Sequence, residues 1–280
     1  MISTLRTIYR RLINLPWLDK IIYKILDVLT DVYCFLRRWH FPRNYLRRWK
    51  LDMLGGSYEP ETRELFKKII KSGMIIVDIG AHIGYFTRLF ASLTCKTGAV
   101  YAFEADPENF SLLAKNTRHF KNIKLCPQAV SAKSGSINFY HSEDKTGCHS
   151  VIPADFRQKK ITVPAITLDD FIQEKNINKI DLIKMDIEGG ELAALEGMRV
   201  TVYKNPSLTL LVEFNPGCLK LAGVDPMDFV RRLNDFDFEI FTVGEKQLIK
   251  IRPAEIARPE DILGGAEFIN FYCARKQPNA

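Results

Sequence analysis

"VDIGAHIGYF", residues 77–86, is the stretch on which the reading of this chain turns. The apolar run from Met74 to Ile79 reads as a fully buried parallel strand. Tyr85 to Leu93 carries apolar residues at helical spacing, so the turn between them joins a strand to a helix. Gly80 and Gly84, lacking side chains, let the backbone approach a ligand closely. Such a turn brings main chain and a helix N-terminus close to a ligand. A buried strand meeting an ordinary tight turn would show the same glycines, so the neighbouring residues decide.

A dinucleotide fingerprint needs G-x-G-x-x-G, and here His82 occupies the second glycine position, where the backbone must approach a pyrophosphate. That argues against NAD. Asp78, just before the turn, repels phosphates but suits a ligand with an ammonium group, such as the methionine end of S-adenosylmethionine. A second strand, 99–103, ends in Glu104, 20 residues after Gly84. A carboxylate at that place accepts hydrogen bonds from both hydroxyls of a ribose. Asp106 and Pro107 then cap and open a helix running to about Arg118.

Strand and helix signals go on alternating. Strands are expected at 123–126, 136–140, 161–163, 180–185, 207–214, 239–243, 248–251 and 269–274, with helices at 168–175 and 226–234. The pattern is that of a doubly wound α/β fold, whose ligand lies at the C-terminal strand ends near the topological switch point. Two apolar strands end there in acids: "DLIKMDIEGGE" (181–191) brings Asp186, Glu188 and Glu191, and "LLVEFNPG" (210–217) brings Glu213. Burying an unpaired carboxylate is costly, so acids in these places mark a site or cap a turn. For Asp186 and Glu188 the competing reading is that they cap a helix beginning near Gly189.

With 280 residues and 46% hydrophobic content the chain can bury a substantial core. Its six cysteines (34, 95, 126, 148, 218 and 273) show no C-x-x-C or framework spacing, which favours reduced thiols over disulfides or zinc. Cys148 and His149, with His141 nearby, lack further ligands at metal spacing. The net charge of +7 is local: residues 1–50 hold 11 Lys/Arg against 3 Asp/Glu, and the remainder holds 29 against 30. A nearly neutral body disfavours a nucleic-acid groove.

Residues 1–57 therefore read as a basic, amphipathic helical extension and 58–280 as the catalytic domain. In the extension Ile21, Ile22, Ile25, Leu26, Leu29, Val32, Tyr33 and Leu36 recur at helical spacing. Asp19, Lys20, Lys24, Asp27 and Asp31 interrupt any spanning run, so the helix is expected to lie flat on a membrane. All three tryptophans (17, 39 and 49) fall here beside Arg37, Arg38, Arg43, Arg47 and Arg48, a mixture suited to an anionic surface. Equally, the stripe suits packing against the catalytic domain or a second subunit. The segment is too charged for a secretory signal, so a cytoplasmic protein, peripheral at the inner face of the membrane, is expected.

Taken in order, "VDIGAHIGYFT", "YAFEADPENF", "TLDDF", "DLIKMDIEGGELAALEGM" and "VEFNP" resemble the FkbM-type methyltransferases, over roughly residues 58–275. The resemblance implies a class I methyltransferase fold: α/β, Rossmann-like and doubly wound, a mostly parallel sheet here preceded by the helical extension. It implies S-adenosylmethionine as cofactor and O-methylation of a hydroxyl on a glycan, glycolipid or polyketide-like acceptor, whether a small molecule or a lipid-linked glycan. Carried over by position, the cofactor loop falls on Asp78, Gly80, Ala81, His82 and Gly84. The ribose acid falls on Glu104, with Ala105 beside it where many relatives carry proline, and the adenine segment on Gln128 and Ala129. A solvent-facing Gln128 fits the sequence as well.

An activated sulfonium needs only an aligned acceptor oxygen and removal of its proton. Asp186 leads as base or orienting group, followed by Glu188, Glu213 and His149. No residue is assigned as a metal ligand. Mg²⁺ gathered by several carboxylates to bind a diol is the alternative chemistry. The rival function is a non-catalytic cofactor-binding or membrane-surface protein that keeps the fold.

Overall fold

The computed structural model describes residues 16–43, 45–141, 150–153, 159–244, 247–252 and 258–275. The chain divides into two units, Met1–Tyr58 and Glu59–Ala280. The first unit contains α1 (Pro16–Leu36) and α2 (Arg47–Gly55). Ion pairs Arg47–Asp27 (3.0 Å) and Lys50–Asp31 (2.8 Å) join the two helices, and the Arg47 guanidinium lies over the Tyr23 ring. Between them Trp39, Phe41, Tyr45 and Trp49 form a chain of ring contacts, each about 5.5 Å from the next. No helix among the described residues is long and apolar enough to cross a membrane.

The second unit opens with α3 (Pro60–Ile69) and then alternates: β1 (Ile75–Ile79), α4 (Tyr85–Thr94), β2 (Ala99–Phe103), α5 (Pro107–Thr117) and β3 (Ile123–Cys126). After the short β4 (Ala129–Val130) come the paired strands β5 (Gly135–His141) and β6 (Lys159–Ile166), then α6 (Leu168–Glu174) and β7 (Leu182–Met185). The rest is α7 (Glu191–Glu196), α8 (Arg199–Lys204), β8 (Thr209–Phe214), α9 (Pro216–Leu221), α10 (Pro226–Asp235), β9 (Phe238–Val243), β10 (Leu248–Ile251), α11 (Glu260–Leu263) and β11 (Ile269–Arg275).

Eight strands form one sheet in the order β10-β9-β11-β8-β7-β1-β2-β3. The pairs among β3, β2, β1, β7 and β8 are parallel, whereas β11 runs antiparallel to both β8 and β9. From β1 the chain winds outward to β3, then returns to place β7 on the other side of β1. The switch point, and with it the crevice for a ligand, lies between β1 and β7. β7 is buried along its whole length and β1 nearly so, as parallel strands covered on both faces must be. Aromatic packing closes one side of the sheet through Phe103 on Phe171 and Phe214 on Phe271.

The sequence reading finds the eight sheet strands within two residues at each end, but it does not show that strands 136–140 and 161–163 belong elsewhere. They pair antiparallel as β5 and β6 and, with β4, make a separate three-stranded sheet around Phe139, Val163 and Ala165. At two residues, β4 is too short to leave a period. The six-residue helices α7, α8 and α9 escape the same way, since fewer than two turns carry no readable repeat.

In the turn after β1, Gly80 has φ 79°, and a Cβ there would stand 1.9 Å from the carbonyl oxygen of Asp186. What this glycine permits is therefore the close approach of two strand-end turns. Gly84, at φ 93°, similarly faces Leu113 and Thr117 of α5. We expect Gly80→Ala to cost more than about 3 kcal/mol, because it adds a backbone clash to an unfavourable φ. Gly223→Ala, at φ 74° with open space around it, should cost only about 1 to 2 kcal/mol. Urea unfolding of the two variants, read as midpoints at unchanged slope, checks the difference.

Candidate active site

At the end of β1, Asp78 is fully buried. Its Oδ2 accepts the Thr87 hydroxyl of α4 at 2.5 Å, while Oδ1 is buried without a hydrogen-bond partner among the described residues. Burial pushes its carboxyl above the usual range, against the pull of nearby Lys184 and Thr87. Three main-chain donors of the turn are already committed: Gly80 and Ala81 donate to the Phe103 carbonyl, and His82 donates to Glu104 Oε2 at 2.7 Å. His82 itself sits at φ 50°.

Glu104 closes β2 with its carboxylate held between two backbone N–H groups, His82 on one oxygen and Asp106 on the other at 2.8 Å. The Asp106 side chain caps α5 by accepting from Glu108 and Asn109. Burial drives the Glu104 carboxyl up to about 8, although both backbone bonds pull it down. Ala105 packs on the small sheet, Gln128 is half-buried on the link from β3 to β4, and Ala129 is the buried first residue of β4.

Across the switch point, Asp186 and Glu188 follow β7. Neither caps a helix: α7 begins at Glu191, its N-cap Gly190 has no side-chain cap, and Glu191 instead accepts from the N–H groups of Ile187 and Gly189. The capping alternative for Asp186 and Glu188 is thereby overturned, and the anchoring acid is Glu191, pushed up by burial to about 7. Asp186 keeps 32% of its side chain exposed and accepts from Lys184 Nζ at 3.1 Å. Burial alone would lower the Lys184 ammonium's pKa, yet Asp186, Asp78 and Glu59 outweigh it and hold that pKa above the ordinary lysine value. Glu188, at φ 54°, takes the Cys218 thiol at 2.9 Å, and its carbonyl takes the Ser150 hydroxyl at 2.8 Å. Glu213, near the end of β8, is raised well above the carboxylate range, first by burial and then by Asp186, Glu188, Glu191 and Glu59.

Of the residues singled out in the sequence, Asp186, Glu188 and Glu213 converge at one place, and Asp78 adjoins them through Lys184. His149 and Cys148 lie outside the described residues, as does the side chain of His141. The sequence reading passes over Lys184 and Glu59. A lysine inside the apolar run "LIKM" was a usable signal, since a buried ammonium demands partners. Glu59 had none: besides Thr62, its carboxyl is met by Asn270, 211 residues away, and its burial comes from the tertiary fold.

A sheet of this order, acids ending β1 and β2, and a further acid beyond β7 together define a class I methyltransferase architecture. Residues 78–240 match the methyltransferase FkbM domain, and the chain belongs to that family. Among curated relatives, the hexuronic acid methyltransferase AglP of Haloferax volcanii is 27% identical over 212 residues, 71% of this chain and 81% of that protein. The 2-O-methyltransferase NoeI of Sinorhizobium fredii is 28% identical over 157 residues, covering 51% of this chain and 64% of that one. A precorrin-6y C5,15-methyltransferase from Geobacter metallireducens superposes with a TM-score of 0.46 at 11% identity, over 85% of this chain and 94% of its own. The protein is an S-adenosylmethionine-dependent methyltransferase.

The residues present fit that cofactor. A buried, unpartnered carboxylate oxygen on Asp78 is the counterpart an ammonium requires, and Glu104 retains lone pairs for ribose hydroxyls beyond the two that its backbone donors use. The raised pKa of Glu104 also has a consequence for stability. Its folded value of about 8 lies above the ordinary 4.5, so its contribution is complete below 4.5 and is lost as pH rises towards 8. The ligand-free protein should lose thermal stability between pH 5 and 8, and in Glu104→Gln that loss should shrink by roughly 2 °C or more, measured as Tm against pH.

Proposed function

We propose that this methyltransferase acts on a hydroxyl oxygen of a sugar-containing acceptor, with Asp186 receiving the hydroxyl's hydrogen. The names of the hexuronic acid methyltransferase and the 2-O-methyltransferase it resembles support that class of acceptor. The observation that carries the role of Asp186 is its position. Asp78, Glu104 and Glu191 are sealed, whereas Asp186 stays partly open at the end of β7, oriented by the Lys184 ammonium.

When bound, S-adenosylmethionine supplies the activated methyl group. Asp78, Glu104, Gln128 and Ala129 would hold it, meeting its ammonium, ribose and adenine in that order. The protein's own work is alignment and proton removal. Lys184 fixes one Asp186 oxygen, so the carboxylate meets an incoming hydroxyl in a set orientation rather than as a free rotor. Asp186→Asn keeps the Lys184 contact and the fold but loses the proton acceptor. We expect cofactor affinity within a few-fold and methyl transfer reduced by about 10² or more, read with methyl-labelled cofactor and fractionated cell extract. Normal transfer in that variant would remove Asp186 from the chemistry.

For the first unit we propose peripheral attachment to an anionic membrane face, where a lipid-linked glycan would be met. Along α1, Ile25, Val28, Leu29, Val32, Phe35 and Leu36 are all exposed, flanked by Arg37, Arg38, Arg43 and the tryptophans. The full chain should float with anionic liposomes at low salt and dissociate at high salt, and a chain beginning near residue 59 should not float. Failure of the full chain to float at low salt rejects the attachment.

A further inference from the structure

One oxygen from each of Asp186, Glu188 and Glu213 lies within 4.8 Å of the other two. A hard divalent cation held about 2.0 to 2.5 Å from its ligands sets such oxygens roughly 3 to 5 Å apart, so the spacing is that of a ligand set. Clustered acids alone are commonplace, and Glu213 is what separates this cluster from an ordinary one. Its Oε2 is completely buried and takes no hydrogen bond from any described residue. Opposite it on β11 stands Asn270, whose amide group already donates to both Glu59 and Thr62 at 2.9 Å. The nearby ammonium of Lys184 donates to Asp186.

Around Glu213 stand the carboxyl groups of Asp186, Glu188, Glu191 and Glu59. A buried acceptor left unpaired among other acids is costly, and an oxygen-seeking cation bound at that place relieves it.

We propose that Asp186, Glu188 and Glu213 hold a divalent metal ion of the Mg²⁺ class, and that this ion takes two neighbouring oxygens of the acceptor. The second half rests on the methyl-transfer reading above; the first does not. An all-carboxylate set favours Mg²⁺ or Mn²⁺ over softer metals. Three protein ligands leave half of an octahedron open, room for two adjacent oxygens such as a sugar ring presents. The Cys218 thiol that bonds Glu188 is a weak donor and does not compete with a cation. Asp186 then orients the acceptor through the ion as well as directly.

The test titrates the full chain, stripped with EDTA, with Mn²⁺ and reads free ion by electron paramagnetic resonance. One Mn²⁺ per chain is expected. Glu213→Gln should weaken it at least about tenfold while leaving S-adenosylhomocysteine affinity within about twofold. Thermal unfolding gives a second readout. Metal-free wild type should gain stability on adding Mn²⁺, whereas Glu213→Gln, relieved of repulsion, should start higher and gain little. Should that variant fail to fold, Glu188→Gln is read in the same titration. Absence of stoichiometric Mn²⁺, or equal affinity in wild type and variant, overturns the site. A chain that binds Mn²⁺ through Glu213 yet neither binds S-adenosylhomocysteine nor transfers methyl overturns the functional reading and leaves the metal site standing.

Discussion

A single buried ammonium, that of Lys184, organises the catalytic end of this molecule. Asp78 and Lys184 are direct partners in the parallel register of β1 and β7. Asp186 reaches back from two residues further along, and Glu59 joins from the start of α3. None of these charges could be buried alone without a large penalty, so each needs the others in place. Three separate segments of chain are thereby drawn to one point at the switch of the sheet, and the acids that would contact cofactor and acceptor share its field.

The backbone around that point is correspondingly tight. Gly80 abuts the carbonyl of Asp186, and a Cβ on Gly189 would stand 2.7 Å from the carbonyl of Cys218. The turns after β1 and β7 are in contact, as are the turn after β7 and α9. Glu188 and His82 both sit at positive φ, a conformation that persists only where surroundings impose it. Preorganisation of this kind suits a reaction in which the protein's task is alignment, since groups already in position lose little on binding. The three-stranded sheet contributes as well: Ser150, bridged to Tyr140 of β5, ties its edge to the Glu188 carbonyl.

Charge separates the two units as clearly as contacts do. The excess of basic residues lies in the first fifty, while the rest of the chain carries an almost balanced set and buries Asp78, Glu104, Asp106 and Glu191. Inside the catalytic unit, the buried acids at the strand ends suit a cationic cofactor.

The sequence by itself determined the alternation of strands and helices, the acids Asp78, Glu104, Asp186 and Glu213 at strand ends, and the basic extension. Each of these is a local fact: period, turn chemistry and the cost of placing a charge in an apolar run are all written in neighbouring residues. Only the tertiary structure decided that β5 and β6 leave the main sheet, that Glu191 rather than Glu188 anchors the turn after β7, and that Glu59 and Asn270 belong to the site. Those outcomes depend on strand order and on hydrogen bonds between residues up to 211 positions apart, and no short-range pattern encodes which distant partner a buried polar group will find.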